Sequence, residues 1–98
     1  MIAVIFTSQR SSYSQGYEEF NEKLESLANE LPGFIQQDSS RNNDGFGISI
    51  SYWKDEESAK EFKKIALHIE AQEAGRKHYY TWYHVKVCKL IREYGFRK

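Results

Sequence analysis

The sequence predicts an α+β domain of ferredoxin-like plan, β-α-β-β-α-β, with an antiparallel four-stranded sheet and both helices on one face. Three observations carry this. Apolar residues recur every three or four positions in two stretches, from Tyr17 to Leu31 and from Ala59 to Ile69. Four other stretches alternate or run apolar over strand lengths. The string Asn42-Asn43-Asp44-Gly45 joins two of these as a hairpin, since Asn, Asp and Gly tolerate the positive φ such turns need.

Ile2 to Ser8 is the first strand. Ile2, Val4 and Phe6 share one face; Ala3, Ile5 and Thr7 share the other. Both are apolar, as in a central strand covered on both sides. Gln9 to Gln15 is polar and serine-rich, a connecting loop. Tyr17, Phe20, Leu24, Leu27 and Leu31 then mark an amphipathic helix of about four turns. Ser14 is its expected N-cap, and Glu18 and Glu19 suit the positive end of its dipole. Pro32-Gly33 ends it.

Phe34 to Arg41 and Phe46 to Trp53 are the hairpin strands. In the second, Ile48, Ile50 and Tyr52 alternate with Gly47, Ser49 and Ser51. A face of glycine and serine either admits a ligand or is simply solvated. Asp55 caps the second helix, whose stripe is Ala59, Phe62, Ile65, Ala66 and Ile69, and whose pattern runs through Gln72 towards Gly75. Tyr79 to Ile91 is a last strand of about twelve residues, longer than usual. On strict alternation, Tyr83, Val85 and Val87 share one face, and Tyr80, Trp82, His84 and Cys88 the other.

The chain has 98 residues, one domain spanning 1–98. Fourteen basic and fourteen acidic residues balance. That argues against a nucleic-acid binder, which carries a basic stripe. The lone cysteine, Cys88, forms no internal disulfide and no metal-binding pair, and its apolar strand suggests an inert buried thiol. No apolar run is long enough to cross a bilayer, and the N-terminus lacks a basic signal region, so a cytoplasmic location is expected. Two helices cover one sheet face, yet both faces are apolar. A homodimer pairing sheet to sheet is the simplest cover for the second.

All three histidines lie between His68 and His84, beside Tyr79, Tyr80, Trp82 and Tyr83. Titratable and aromatic groups gathered at one helix-to-strand junction either line a pocket or are core and surface respectively. His68 has the ordinary pKa of a neutral-pH general base, or is a plain helix residue bonded to backbone. Arg76 either stabilises an oxyanion or pairs with Glu70 or Glu73. Trp53, Phe62, Tyr80 and Trp82 are candidates for an aromatic wall around a substrate, with Gln72 as a polar contact. No histidine pair has zinc-site spacing, and there is no phosphate loop.

With these pieces in place, the sequence resembles the antibiotic-biosynthesis-monooxygenase family of small dimeric α+β barrels. The resemblance rests on Ile2-Ala-Val-Ile-Phe6, Leu31-Pro-Gly-Phe34, Gly47-Ile-Ser-Ile-Ser-Tyr-Trp53, His68-Ile-Glu-Ala-Gln72, Gly75-Arg76 and the aromatic-rich last strand. It implies a homodimer with a pocket in each subunit between helices and sheet. It also implies oxidation of phenolic ring systems with O2 and without metal or flavin cofactors, or haem breakdown in another branch. Phe62 stands where many members have a pocket tryptophan, keeping a stacking surface without the indole N–H. The haem branch has an asparagine where this chain has Thr7-Ser8, and its ligating histidine falls near Gln72 rather than at His68. Two functions therefore stand: a cofactor-independent monooxygenase acting on a small aromatic or hydroquinone-like substrate, or a non-catalytic dimeric ligand-binding or structural module. Haem binding is a third reading.

Overall fold

The computed structural model describes residues 1–73 and 78–98, with side chains described outside 71–77. The described residues form β1 (Ile2–Arg10), α1 (Tyr17–Glu30), β2 (Phe34–Arg41), β3 (Phe46–Trp53), α2 (Glu56–Glu73) and β4 (Tyr80–Lys89). The strands pair antiparallel in the order β2-β3-β1-β4. This is the ferredoxin-like arrangement.

Register decides which side chains face the helices, because directly paired residues in an antiparallel ladder point to the same side. Val4, Phe6 and Ser8 of β1 oppose Ser51, Ser49 and Gly47 of β3, and Val87, Val85 and Tyr83 of β4. The small residues of β3 therefore lie under the helices, not in solvent. The larger Ile48, Ile50 and Tyr52 face the other way, alongside Ile5 and Trp82.

Helix packing divides the core into two clusters. Phe20, Ile69 and Tyr79 form one, flanked by Tyr17, Leu24 and Tyr80. Ala28, Trp53 and Ala59 form the other, flanked by Val4, Phe34 and Phe62.

Four local expectations are corrected. The N-cap of α1 is Gly16, at φ 79°, not Ser14. Arg10 donates to the Ser14 hydroxyl at 3.4 Å, while the Tyr79 hydroxyl lies so near Gly16 that a Cβ there would come within 2.8 Å of it. β1 runs on to Arg10, beyond the expected loop start at Gln9, because Arg10 N–H donates to Gly45 O at 2.9 Å and Arg10 pairs with Tyr80. Cys88 is exposed rather than buried, since β4 is an edge strand and Cys88 points away from the helices. Finally, a register shift between Gln9 and Arg10 breaks the alternation of β4. The irregularity brings Tyr80 to the helix side beside Tyr83, away from Trp82.

The Asp55 cap is as expected. Its Oδ1 accepts from Ser58 N–H at 2.9 Å, and hydrogen bonds from Ser58 hold the carboxyl below its ordinary pKa.

Candidate functional site

A cavity of about 940 Å³ lies between the helices and the sheet, bounded by both core clusters. Its depth follows from the sequence of β3. Ser49 and Ser51 take up so little room beneath α1 and α2 that the helices cannot close on the sheet at that level. Phe6, Tyr17, Phe62, Tyr80 and Tyr83 supply its aromatic surface. Along β4 it is open, with Val85 and Val87 about half exposed.

The aromatic rings brace one another. Tyr80 stands edge-on to Phe6 at 5.6 Å and to Tyr17 at 6.1 Å, while Phe6 stacks on Tyr83 at 5.3 Å. Burial, with Tyr17 alongside, pushes the Tyr80 hydroxyl far above its ordinary pKa, so it stays protonated. Behind Tyr17, the Arg10 guanidinium lies 3.5 Å from the ring centroid, a cation–π contact.

A second arginine reaches the lining. Arg41 donates from Nη1 to Gly45 O at 2.6 Å and to Ser8 O at 3.3 Å, and from Nη2 to Ser8 Oγ at 2.8 Å. Its guanidinium lies over Gly47, where an added Cβ would stand 2.6 Å from Cζ. Ser8 is fully buried beneath it. Ser8 is engaged in holding an arginine.

Of the residues expected to form a site, Phe62 and Tyr80 line the cavity. Trp53 does not. It is completely buried, stacked on Phe62 at 5.1 Å and edge-on to Phe34 at 5.5 Å, and its indole N–H donates to Ser51 Oγ at 2.9 Å. Trp82 is on the opposite sheet face, near Phe46 and half exposed. His68 is exposed on α2, where Ala66, Leu67 and Glu70 take the cavity side. The structure therefore does not bring His68 together with Phe62 and Tyr80. The Gln72 side chain and Arg76 lie outside the described residues. Tyr17, Arg41 and Ser8 were not singled out as site residues. The signal available was the alternation Gln37, Ser39, Arg41, which places Arg41 on the side of Gly47 and Ser49 once the hairpin is closed.

Among the described residues, no group of three or more His, Cys, Asp or Glu side chains is placed to hold a metal. No described helix is long and apolar enough to cross a membrane.

Fold and cavity together define a small α+β barrel-type domain built around an internal space. No family model matches the chain. The uncharacterised protein YqjZ of Bacillus subtilis is 38% identical over 96 residues, covering 98% of this chain and 84% of that protein. The jasmonate monooxygenase ABM of Pyricularia oryzae is 33% identical over 93 residues. That match covers 92% of this chain but only 43% of the fungal protein, so the chain spans less than half of it. Among solved structures, the cofactor-independent oxygenase SnoaB of Streptomyces nogalater superposes with a TM-score of 0.74 at 11% identity, with 94% of each chain covered. The chain belongs to the antibiotic-biosynthesis-monooxygenase family.

Proposed function

We propose that the chain is a cofactor-independent monooxygenase that oxidises a small aromatic, hydroquinone-like molecule with O2. The observation that carries this reading is the cavity of about 940 Å³ walled by Phe6, Tyr17, Phe62, Tyr80 and Tyr83. That volume falls within the range of small-molecule sites, and flat rings stack well on such walls. Two oxygenases among its relatives and structural neighbours support it.

The chemistry asks little of the protein. An ionised hydroquinone is electron-rich enough to meet oxygen directly. One oxygen atom enters the ring as a hydroxyl and the other leaves as water. The substrate supplies all the electrons and ends as a hydroxyquinone. The protein binds the ring, holds its orientation and limits water around it. His68, exposed and outside the lining, has no part in this scheme.

The same reading takes the working unit as a homodimer joined through the helix-free sheet face. Ile48 and Trp82 are more than 40% exposed there. Beyond β4, Ile91, Tyr94 and Phe96 are about 90% exposed on an arm that also carries Arg92, Glu93, Arg97 and Lys98, and their apolar surface is suited to lie on a second copy.

The test is an oxygen electrode with purified protein and a panel of one- to three-ring hydroquinones. Oxygen uptake above the uncatalysed rate, unaffected by chelator, is expected for at least one. Ring binding without any acceleration across the panel would leave a ligand-binding module instead.

A further inference from the structure

The least ordinary group in the cavity wall is Arg41. A guanidinium beside a largely apolar space needs an account, and several observations supply one. It is held from behind, by three hydrogen bonds to Ser8 and Gly45. A guanidinium has five N–H donors, so among the described residues those three leave two for something else. Among the described residues it forms no ion pair with a carboxylate; the surface pair there is Lys60 with Glu56. The carboxylates that border the cavity, Glu25, Glu56 and Glu70, are carried by the helices, whereas Arg41 comes from the sheet at its hairpin end.

The position is also built. Gly47 leaves the space in which the guanidinium lies flat, and Ser8 is buried with its hydroxyl turned to it. Tyr80, whose hydroxyl remains protonated, borders the same cavity, and its ring touches that of Tyr83, which lies in one cross-strand row with Arg41, Gly47 and Ser8. A fixed cation and a phenolic O–H thus stand at one end of an apolar space.

We propose that Arg41, with Tyr80, forms a seat for an anionic oxygen, so that the cavity selects ring compounds carrying one carboxylate or phenolate. This rests on the reading of the cavity as an aromatic-ligand site and specifies its substrate class. It also accounts for oxidation with no histidine among the described residues of the lining. The substrate enters already ionised, and the seat favours that form by charge-assisted hydrogen bonds.

Calorimetric titration of the full chain with 2-naphthoate and with the isosteric neutral 2-naphthamide tests it. The wild type should bind naphthoate about tenfold or more tightly than naphthamide. Arg41→Ala should erase that preference by weakening naphthoate far more than naphthamide. Gly47→Ala keeps the arginine but fills the space in which it lies, and should reduce the preference with the circular dichroism spectrum unchanged. Equal affinity for the two ligands in the wild type, or a preference that survives both substitutions, overturns the seat alone. Failure of both ligands to bind overturns the aromatic-site reading with it. A parallel titration with 4-nitrophenol across its ionisation distinguishes the two oxyanions. Binding that strengthens as the phenolate forms shows that the seat takes phenolates, and binding that does not restricts it to carboxylates.

Discussion

Phe62 lies nearly parallel to Trp53, ring centroids 5.1 Å apart and planes 27° from each other, with Trp53 wholly buried and Phe62 open to the cavity. Two neighbouring aromatics therefore have different work. Trp53 packs the end of the sheet against Ala28 and Ala59, and Phe62 lays a ring surface over it. Trp53→Ala should destabilise by about 3–5 kcal/mol, the range for large buried aromatics. Phe62→Ala opens onto existing space and should cost roughly half that or less, while weakening naphthamide binding. Urea unfolding monitored by circular dichroism separates the two. Equal losses would mean that Phe62 is core and not wall.

Ser49 sits on the cavity floor, its hydroxyl accepting from Gln37 Nε2 at 3.1 Å. Ser49→Leu should fill the space that β3 leaves vacant. The expected variant is folded and no less stable than the wild type, and it no longer binds naphthalene derivatives. Retained binding would place the ligand elsewhere.

Alkaline stability should depend on Tyr80. Its folded pKa is raised, chiefly by burial, so above the ordinary tyrosine value near pH 10 the unfolded chain gives up this proton while the folded chain keeps it. Fewer protons are then bound in the unfolded state, and stability falls as pH rises. Tyr80→Phe removes this contribution. Its stability should decline less steeply than that of wild type between about pH 9 and 11, in denaturant melts at each pH. Parallel declines would contradict the burial of that hydroxyl.

Asp55 gives the opposite sign. Its folded pKa is lowered by hydrogen bonds from Ser58, so its charge stabilises the fold above the unfolded carboxylate value and ceases to as pH falls through the folded one. Asp55→Ala should melt below wild type at neutral pH, and the gap should narrow below about pH 4. A gap that is constant with pH would mean that the cap does not depend on ionisation.

Static light scattering at micromolar concentration should give twice the chain mass. Ile48→Asp, on the helix-free face, should give a single chain with unchanged secondary structure. A wild-type monomer would leave that apolar face without a partner.

Much of the architecture was legible. The Tyr17-to-Leu31 spacing, the Asn-Asn-Asp-Gly turn and the alternation of β2 and β3 are local signals, and each element formed where its pattern lay. The site was less so, for reasons visible at single residues. Tyr80 changed sides because a shift in pairing with Arg10 breaks the period of two, and nothing within β4 announces a break imposed by its neighbour. Trp53 reads as an aromatic like any other until packing buries it against Ala28 and Ala59. Arg41 reads as a solvated strand end. Its role appears only when the register sets it over Gly47 and beside Ser8, the latter 33 positions earlier in the chain.

The division of the core into two clusters bears on how the molecule responds to being filled. A bound ring system would touch Tyr17 and Tyr80 at one end and Phe62 at the other, joining two apolar regions that meet poorly without it. Occupancy then acts as a keystone. Ligand that binds only the folded chain raises its stability by mass action, with about 2.7 kcal/mol expected at a hundredfold excess over Kd. Amide exchange should slow in α1 and α2 together. Melting temperature alone could then rank unknown metabolites as occupants, before any turnover is detected.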